Sequence, residues 1–294
     1  MLLVTSVIWG MAPAVIKYTL TYFTPLVFLV YRFAISSAVG VAAIAVGGHK
    51  VPHPTRDVPY MLLYSILAVP LSLGLLFYGF AKTDSLTGNL LSATGPLMII
   101  LLSVLFLKER VTKQERLGIG LAFAGTILTV VAPFIGGDGV ALGFVEGNLL
   151  ILGGVVGDAV AAILVKVVMR EKVSATLLTH TSFIIGFLVL LPIVLWMYGG
   201  TVIARTILQA PLSAHLGVLY MAILSGTLAY SLRNRAVRSI EVSESAVFSY
   251  LHPVWGAPLS VAWLREVITA QYLVGAMVIA AGVAVAEHKR RRKK

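Results

Sequence analysis

What most constrains this chain is the recurrence, from one end to the other, of apolar blocks long enough to cross a bilayer as helices of about 20 residues. Within hydrocarbon a backbone has to pair its own N–H and C=O groups, so blocks of this length read as membrane-spanning helices. They fall at roughly 2–20, 25–47, 58–80, 85–107, 116–133, 144–168, 174–198, 214–237, 243–264 and 270–287. The breaks between them, such as GGHKVPHPTRD, KERVTKQER, PFIGGDG and REKVS, are charged or rich in glycine and proline. Composition agrees: 59% hydrophobic and 12% charged residues, with a mean hydropathy of +0.95, leave no stretch polar enough for a soluble domain. The expectation is an all-α membrane protein of ten transmembrane helices. A cleavable signal peptide is not expected, because the first block lacks a basic leader and keeps Trp9 and Lys17.

The net charge of +11 does not describe a nucleic-acid-binding face. Seventeen of the 23 lysines and arginines, the basic tail 289–294 among them, sort to one side of the expected topology. Only Lys82, Arg205 and Arg265 sort to the other. That bias predicts both termini in the cytoplasm and a multi-pass protein of the inner or plasma membrane. The chain has no cysteine, which excludes disulfides and thiolate metal sites.

The sequence also repeats itself. At an offset of 157, PLMIILLSVLFLKERVTKQERLGIGLAFAG from Pro96 matches PVWGAPLSVAWLREVITAQYLVGAMVIAAG from Pro253, pairing Ser103 with Ser260, Glu109 with Glu266 and Gly125 with Gly282. In the weaker first halves Lys17 and Lys166 occupy equivalent places. The predicted units are 1–135 and 143–288, each of five helices, followed by the tail 289–294. An odd number of helices per unit makes the second copy enter the membrane from the opposite side, an inverted-topology repeat typical of secondary transporters. The stretch from Asp84 to Val130, its second copy SESAVFSYLHPVWGAPLSVAWLREVITAQYLVGAMVIAAGVAVA, and the opening VIWGMAPAVIKYTL with the following YRF resemble the EamA repeat of the drug/metabolite transporter superfamily. The resemblance implies ten-helix carriers, often exporters of amino acids and other small metabolites. Helix six departs from the pattern, with VVGDAV where many relatives have an aromatic residue.

Ionisable groups inside the span cost at least about 2.5–3.5 kcal/mol on insertion scales and are the first site candidates. Asp158, beside Gly153, Gly154 and Gly157, reads either as a proton or ammonium site or as a partner of Lys17, Lys166 or Arg32. Arg32 is suited to a carboxylate. Lys17 and Lys166 read as helix-end residues that snorkel. Asn89, Ser92 and Pro96 share one helical face, and Ser245, Ser249 and His252 precede Pro253 in the second repeat, so the two stripes are expected to line one cavity. His252 and Asp158 are the proton-coupling candidates. Trp9, Tyr78, Tyr230 and Tyr250 are the aromatic candidates for the pocket, whereas Tyr22, Tyr60, Trp196 and Tyr198 read as interfacial belt residues. His180 reads as a core histidine, Glu109 and Glu266 as loop-facing, and Glu244 as a partner of Arg235 or Arg238. The spacing of His49, His53 and Asp57 is a weak metal signal, and no metal or cofactor is expected.

These features predict a secondary carrier with a central cavity, exporting amino acids or related compounds, with proton linkage as an option. The alternative is a flippase of a lipid-linked substrate. No enzyme signature is present: there is no G-x-S-x-G, H-E-x-x-H or phosphate-binding loop. The expected partners are a small-molecule substrate and the lipid bilayer. Small-residue rows at Gly118, Ala122, Gly125, Gly275, Ala281 and Gly282 serve helix packing, compatible with a monomer or a homodimer.

Overall fold

The computed structural model describes residues 1–46, 57–107, 113–135, 141–170, 173–239 and 247–287, which are helical throughout with no strand among them. Seven helical stretches are long and apolar enough to cross a membrane, and two shorter apolar helices cover Arg116–Thr129 and Ala270–Val285. We label the helices α1 (Leu2–Thr19), α2 (Pro25–Val46), α3 (Asp57–Lys82), α4 (Ser85–Ser92), α5 (Gly95–Leu107), α6 (Lys113–Ile135), α7 (Ala141–Arg170), α8 (Ala175–Tyr198), α9 (Gly200–Gln209), α10 (212–239), α11 (His252–Leu264) and α12 (Ala270–Glu287).

Two features depart from the sequence expectation. The block predicted as one helix over 85–107 is broken at Ala93–Thr94, just before Pro96. The block over 243–264 likewise passes through a 3-10 turn, Val247–Leu251, before α11 starts with Pro253 in its first turn. Proline supplies no N–H and disfavours the helical conformation in the residue before it, so the same break recurs in both repeats. The segment after α8, expected as a loop, forms the short helix α9, none of whose residues is buried.

The packing has an internal exchange symmetry. Helix α2 packs on α8 and α6 on α12. Helix α3 packs on α7 as α10 packs on α1, and α4 and α5 pack on α7 as α11 packs on α1. Each half therefore lays its first helix into the other half. Glycine permits the closest approaches. A Cβ on Gly79 would lie 2.7 Å from the Gly147 carbonyl oxygen, and one on Gly147 would lie 2.9 Å from that of Gly79, so the backbones of α3 and α7 nearly touch. Gly147→Val is expected to lower stability by about 1–3 kcal/mol through overpacking. Gly120→Ala, which meets nothing within 4 Å, should leave it unchanged. Thermal unfolding of the two purified variants in detergent checks this pair.

Candidate functional site

Irregular backbone marks the site before any side chain does. Helix α3 is π-helical over Leu67–Leu71 around Pro70, and α10 is π-helical over Tyr220–Ala229. Wider turns loosen the regular ladder, and side chains cover the carbonyls there. Ser72 Oγ donates to the Leu67 carbonyl, Ser36 Oγ to that of Ala222 at 3.0 Å, and the Trp9 indole N–H to that of Ser225 at 3.0 Å. In the other direction, the Tyr220 hydroxyl donates to the Ile8 carbonyl at 2.6 Å. Helix α1 is thus clamped onto α10 across the two halves.

Between these elements lies a cavity of about 150 Å³, with walls from α1, α3, α5, α7 and α10 and the turn leading into α11. Of the residues singled out in the sequence, Trp9, Arg32, Ser92, Asp158, Tyr230, Ser249 and His252 line it. Asn89, Tyr78 and Tyr250 do not. Asn89 turns away, its amide donating to the Gly10 carbonyl at 2.9 Å and pressing against Gly256, so it ties α4 to α1 and α11. Ser92 and Pro96 reach the cavity from the two sides of the break at Ala93–Thr94, while Asn89, one turn earlier on α4, meets α1 and α11 instead. Ser245, Glu244, Glu109, His49, His53 and the basic tail lie outside the described residues, as does the Lys166 side chain.

Asp158 pairs with neither Lys17 nor Arg32. Its Oδ1 accepts from Arg233 Nη1 at 2.9 Å. Arg233, sorted above with the charges of one side, sits on α10 with its guanidinium 5.5 Å from the Trp9 ring centroid. Trp9 in turn packs edge-on against Tyr230 at 5.0 Å, and Tyr230 against Phe183 at 5.6 Å. Arg32 is 1% exposed and lies 5.3–6.0 Å from the rings of Phe33, Phe77 and Phe183. Its Nε and Nη1 have no hydrogen-bond partner among the described residues. The signal for Arg233 was present in the sequence, since the predicted span 214–237 already enclosed it.

One end of the cavity is sealed. Beyond Ile16 and Phe80, the carboxylate of Glu266 accepts from the backbone N–H groups of Ser85 and Leu86, each at 2.8 Å. Ser85 Oγ donates to Ser260 Oγ at 2.7 Å, and Thr83 Oγ1 to the Asn148 side-chain oxygen at 2.8 Å. Two readings are corrected here. Glu266 is not loop-facing but caps the α4 N-terminus from the opposite half, where carboxylate charge is favoured. Lys17 does not snorkel outward but donates to the carbonyls of Phe80 and Thr83. At the other end, marked by Leu2, no comparable layer covers the cavity among the described residues.

Comparison with known proteins agrees with this architecture. The model of the EamA-like transporter family matches residues 1–131 and again 145–286. The chain is 26% identical to an uncharacterized transporter of Bacillus subtilis, covering 97% of this chain and 92% of that protein. It is 26% identical to a probable terminal-alkyne amino-acid exporter of Streptantibioticus cattleyicolor (96% and 90% covered). It is 25% identical to a probable amino-acid metabolite efflux pump of Salmonella typhimurium (96% and 91% covered). A solved crystal structure superposes with a TM-score of 0.68 at 20% identity, over 100% of this chain and 97% of that one, which shows the shared fold.

The Arg233–Asp158 pair is mostly buried, with side-chain exposures of 13% and 33%. Removing one partner strands the other charge, which costs up to about 3–5 kcal/mol in a fully buried pair and less where water reaches the carboxylate. Asp158→Asn and Arg233→Gln are each expected to destabilise, and the double variant to lose less than the sum. A double-mutant cycle on thermal unfolding measures that coupling.

Proposed function

The chain belongs to the EamA-like transporter family, and from this we propose that it is a secondary carrier in which ten transmembrane helices, as two inverted five-helix repeats, alternate access to one central site. The single observation that carries the reading is a cavity walled by both halves and closed at one end by bonds that run between the halves. The exchange symmetry of the helix packing supports inversion, because a second state follows if the two halves trade roles.

On the lysine and arginine distribution both termini lie in the cytoplasm, so the Leu2 end of the cavity faces inward and the Glu266 end outward. The substrate is a small metabolite, with export of amino acids or related compounds favoured by what the similar exporters are named for. A volume of about 150 Å³ falls below the roughly 300–1,000 Å³ of drug-sized sites, which weighs against a lipid-linked cargo. The substrate contacts are Trp9, Arg32, Ser92, Asp158, Tyr230, Ser249 and His252, joined by Arg233. Because Asp158 already holds Arg233, His252 is the proton site of this reading.

The absence of native cysteine makes the test direct. Ser249→Cys in sealed vesicles should react with a membrane-impermeant maleimide from the cytoplasmic side, and Ile16→Cys should be protected from the outer side. Adding Glu266→Gln should expose Ile16→Cys to the outer face. Equal labelling of either cysteine from both sides would sink alternating access. In proteoliposomes an imposed pH gradient should accelerate amino-acid flux, and His252→Gln should remove that acceleration while leaving exchange intact.

A further inference from the structure

Arg32 is the one charged group lining the cavity whose charge has no opposite partner there. The described lining carries two guanidinium groups, Arg32 and Arg233, and one carboxylate, Asp158, which is already engaged by Arg233. Among the described residues the lining therefore holds one positive charge in excess. Three phenylalanine faces around Arg32 favour a cation but accept no N–H bonds. Its Nε–H and Nη1–H are buried and have no hydrogen-bond partner among the described residues, while Arg32 itself lines the cavity. A purely structural arginine at this depth would be expected to donate to carbonyls or a carboxylate, since unpaired buried donors are rare and costly. The first turn of α5, with Gly95, Pro96 and Ile99, and the start of α11 at His252 also face the cavity. Both helix N-termini add partial positive charge there.

We propose that Arg32 anchors the carboxylate of the substrate, that the substrate class is a small organic acid on a compact apolar or aromatic body, and that a substrate ammonium group is dispensable. The assignment rests on the reading of this cavity as the transport site. A carboxylate supplies acceptors and an opposite charge for the guanidinium that lines the cavity. An ammonium group finds no free counter-charge, because the one carboxylate lining the described cavity is held by Arg233. The remaining wall, from Leu73, Phe77, Ile99 and Met221, is apolar and takes the body of the molecule. Its volume of about 150 Å³ matches cavities that hold a benzene ring.

The experiment uses three matched probes on the full chain in detergent: L-phenylalanine, 3-phenylpropionate, which lacks the ammonium, and L-phenylalaninamide, which lacks the carboxylate. Calorimetric titration should show both acids binding and the amide weaker by roughly tenfold to a hundredfold, the value of a hydrogen-bonded charge. Arg32→Gln should erase the preference for acid over amide. Arg32→Lys should keep part of it, since lysine offers the charge without the planar fork. Amide binding as tight as acid binding, no binding of either acid, or an undiminished acid preference in Arg32→Gln would each overturn the proposal. The comparison of acid with amide on the unaltered protein stands even if the variants fail to fold. Flux in proteoliposomes separates the two readings. Arg32-dependent acid binding without flux refutes the carrier and leaves the anchor. Flux of acid and amide at equal rates refutes the anchor and leaves the carrier.

Discussion

A backbone in hydrocarbon must satisfy its own hydrogen bonds, and the rest of this structure follows from where that rule is kept and where it is relaxed. Helices α2 and α8, packed on each other, run unbroken over 22 and 24 residues, with α2 lending Arg32 to the cavity wall. The π-helical turns, the break at Ala93–Thr94 and the 3-10 entry to α11 fall in the helices that border the cavity. There the loosened carbonyls accept bonds from Ser36, Ser72 and Trp9, so the irregular backbone is satisfied by the side chains that shape the site. Irregularity comes in pairs, in α3 with α10 and in α4–α5 with α11, because each half carries the same set of instructions.

Much of this was legible in the sequence. The apolar blocks placed the helices, and the repeat linked Pro96 to Pro253. What escaped were relations between segments that are remote along the chain. Periodicity grouped Asn89 with Ser92 and Pro96, but it does not say which neighbour a residue meets: Ser92 reaches the cavity, while Asn89 on the same helix donates to Gly10. Arg233 was sorted with the loop charges because it stands near Arg235 and Arg238, two residues that contribute to the charge bias. Nothing in the one-dimensional pattern says that its guanidinium meets Asp158 some 75 positions away. Glu266 followed an arginine at a helix end and so read as solvent-facing, although it caps a helix of the other repeat.

The two cationic sites in the cavity have different physical characters. Arg233 is balanced by Asp158 and covered by the Trp9 ring, so it is content without a ligand and gives the wall its shape. Arg32 lies among aromatic faces, and its Nε and Nη1 have no hydrogen-bond partner among the described residues. A transporter benefits from this division. A site whose polar groups are all paired has nothing to gain from a substrate, and one that is wholly unpaired would not hold its shape while empty.

The Glu266 end of the cavity is closed by contacts between the two halves. The seal includes a small set of polar bonds between the halves: two charge-assisted bonds from Glu266, one between Ser85 and Ser260, and one between Thr83 and Asn148. Neutral bonds contribute about 0.5–1.5 kcal/mol each and charged ones about 1.5–3, less where water reaches them. Their sum is a few kcal/mol, the same order as the roughly 5.5 kcal/mol of differential affinity that moves a two-state equilibrium from 1:99 to 99:1. A closure of this strength is firm enough to keep the resting cavity one-sided and weak enough for a small ligand to reverse. An apolar core in the same place would have met only the first requirement.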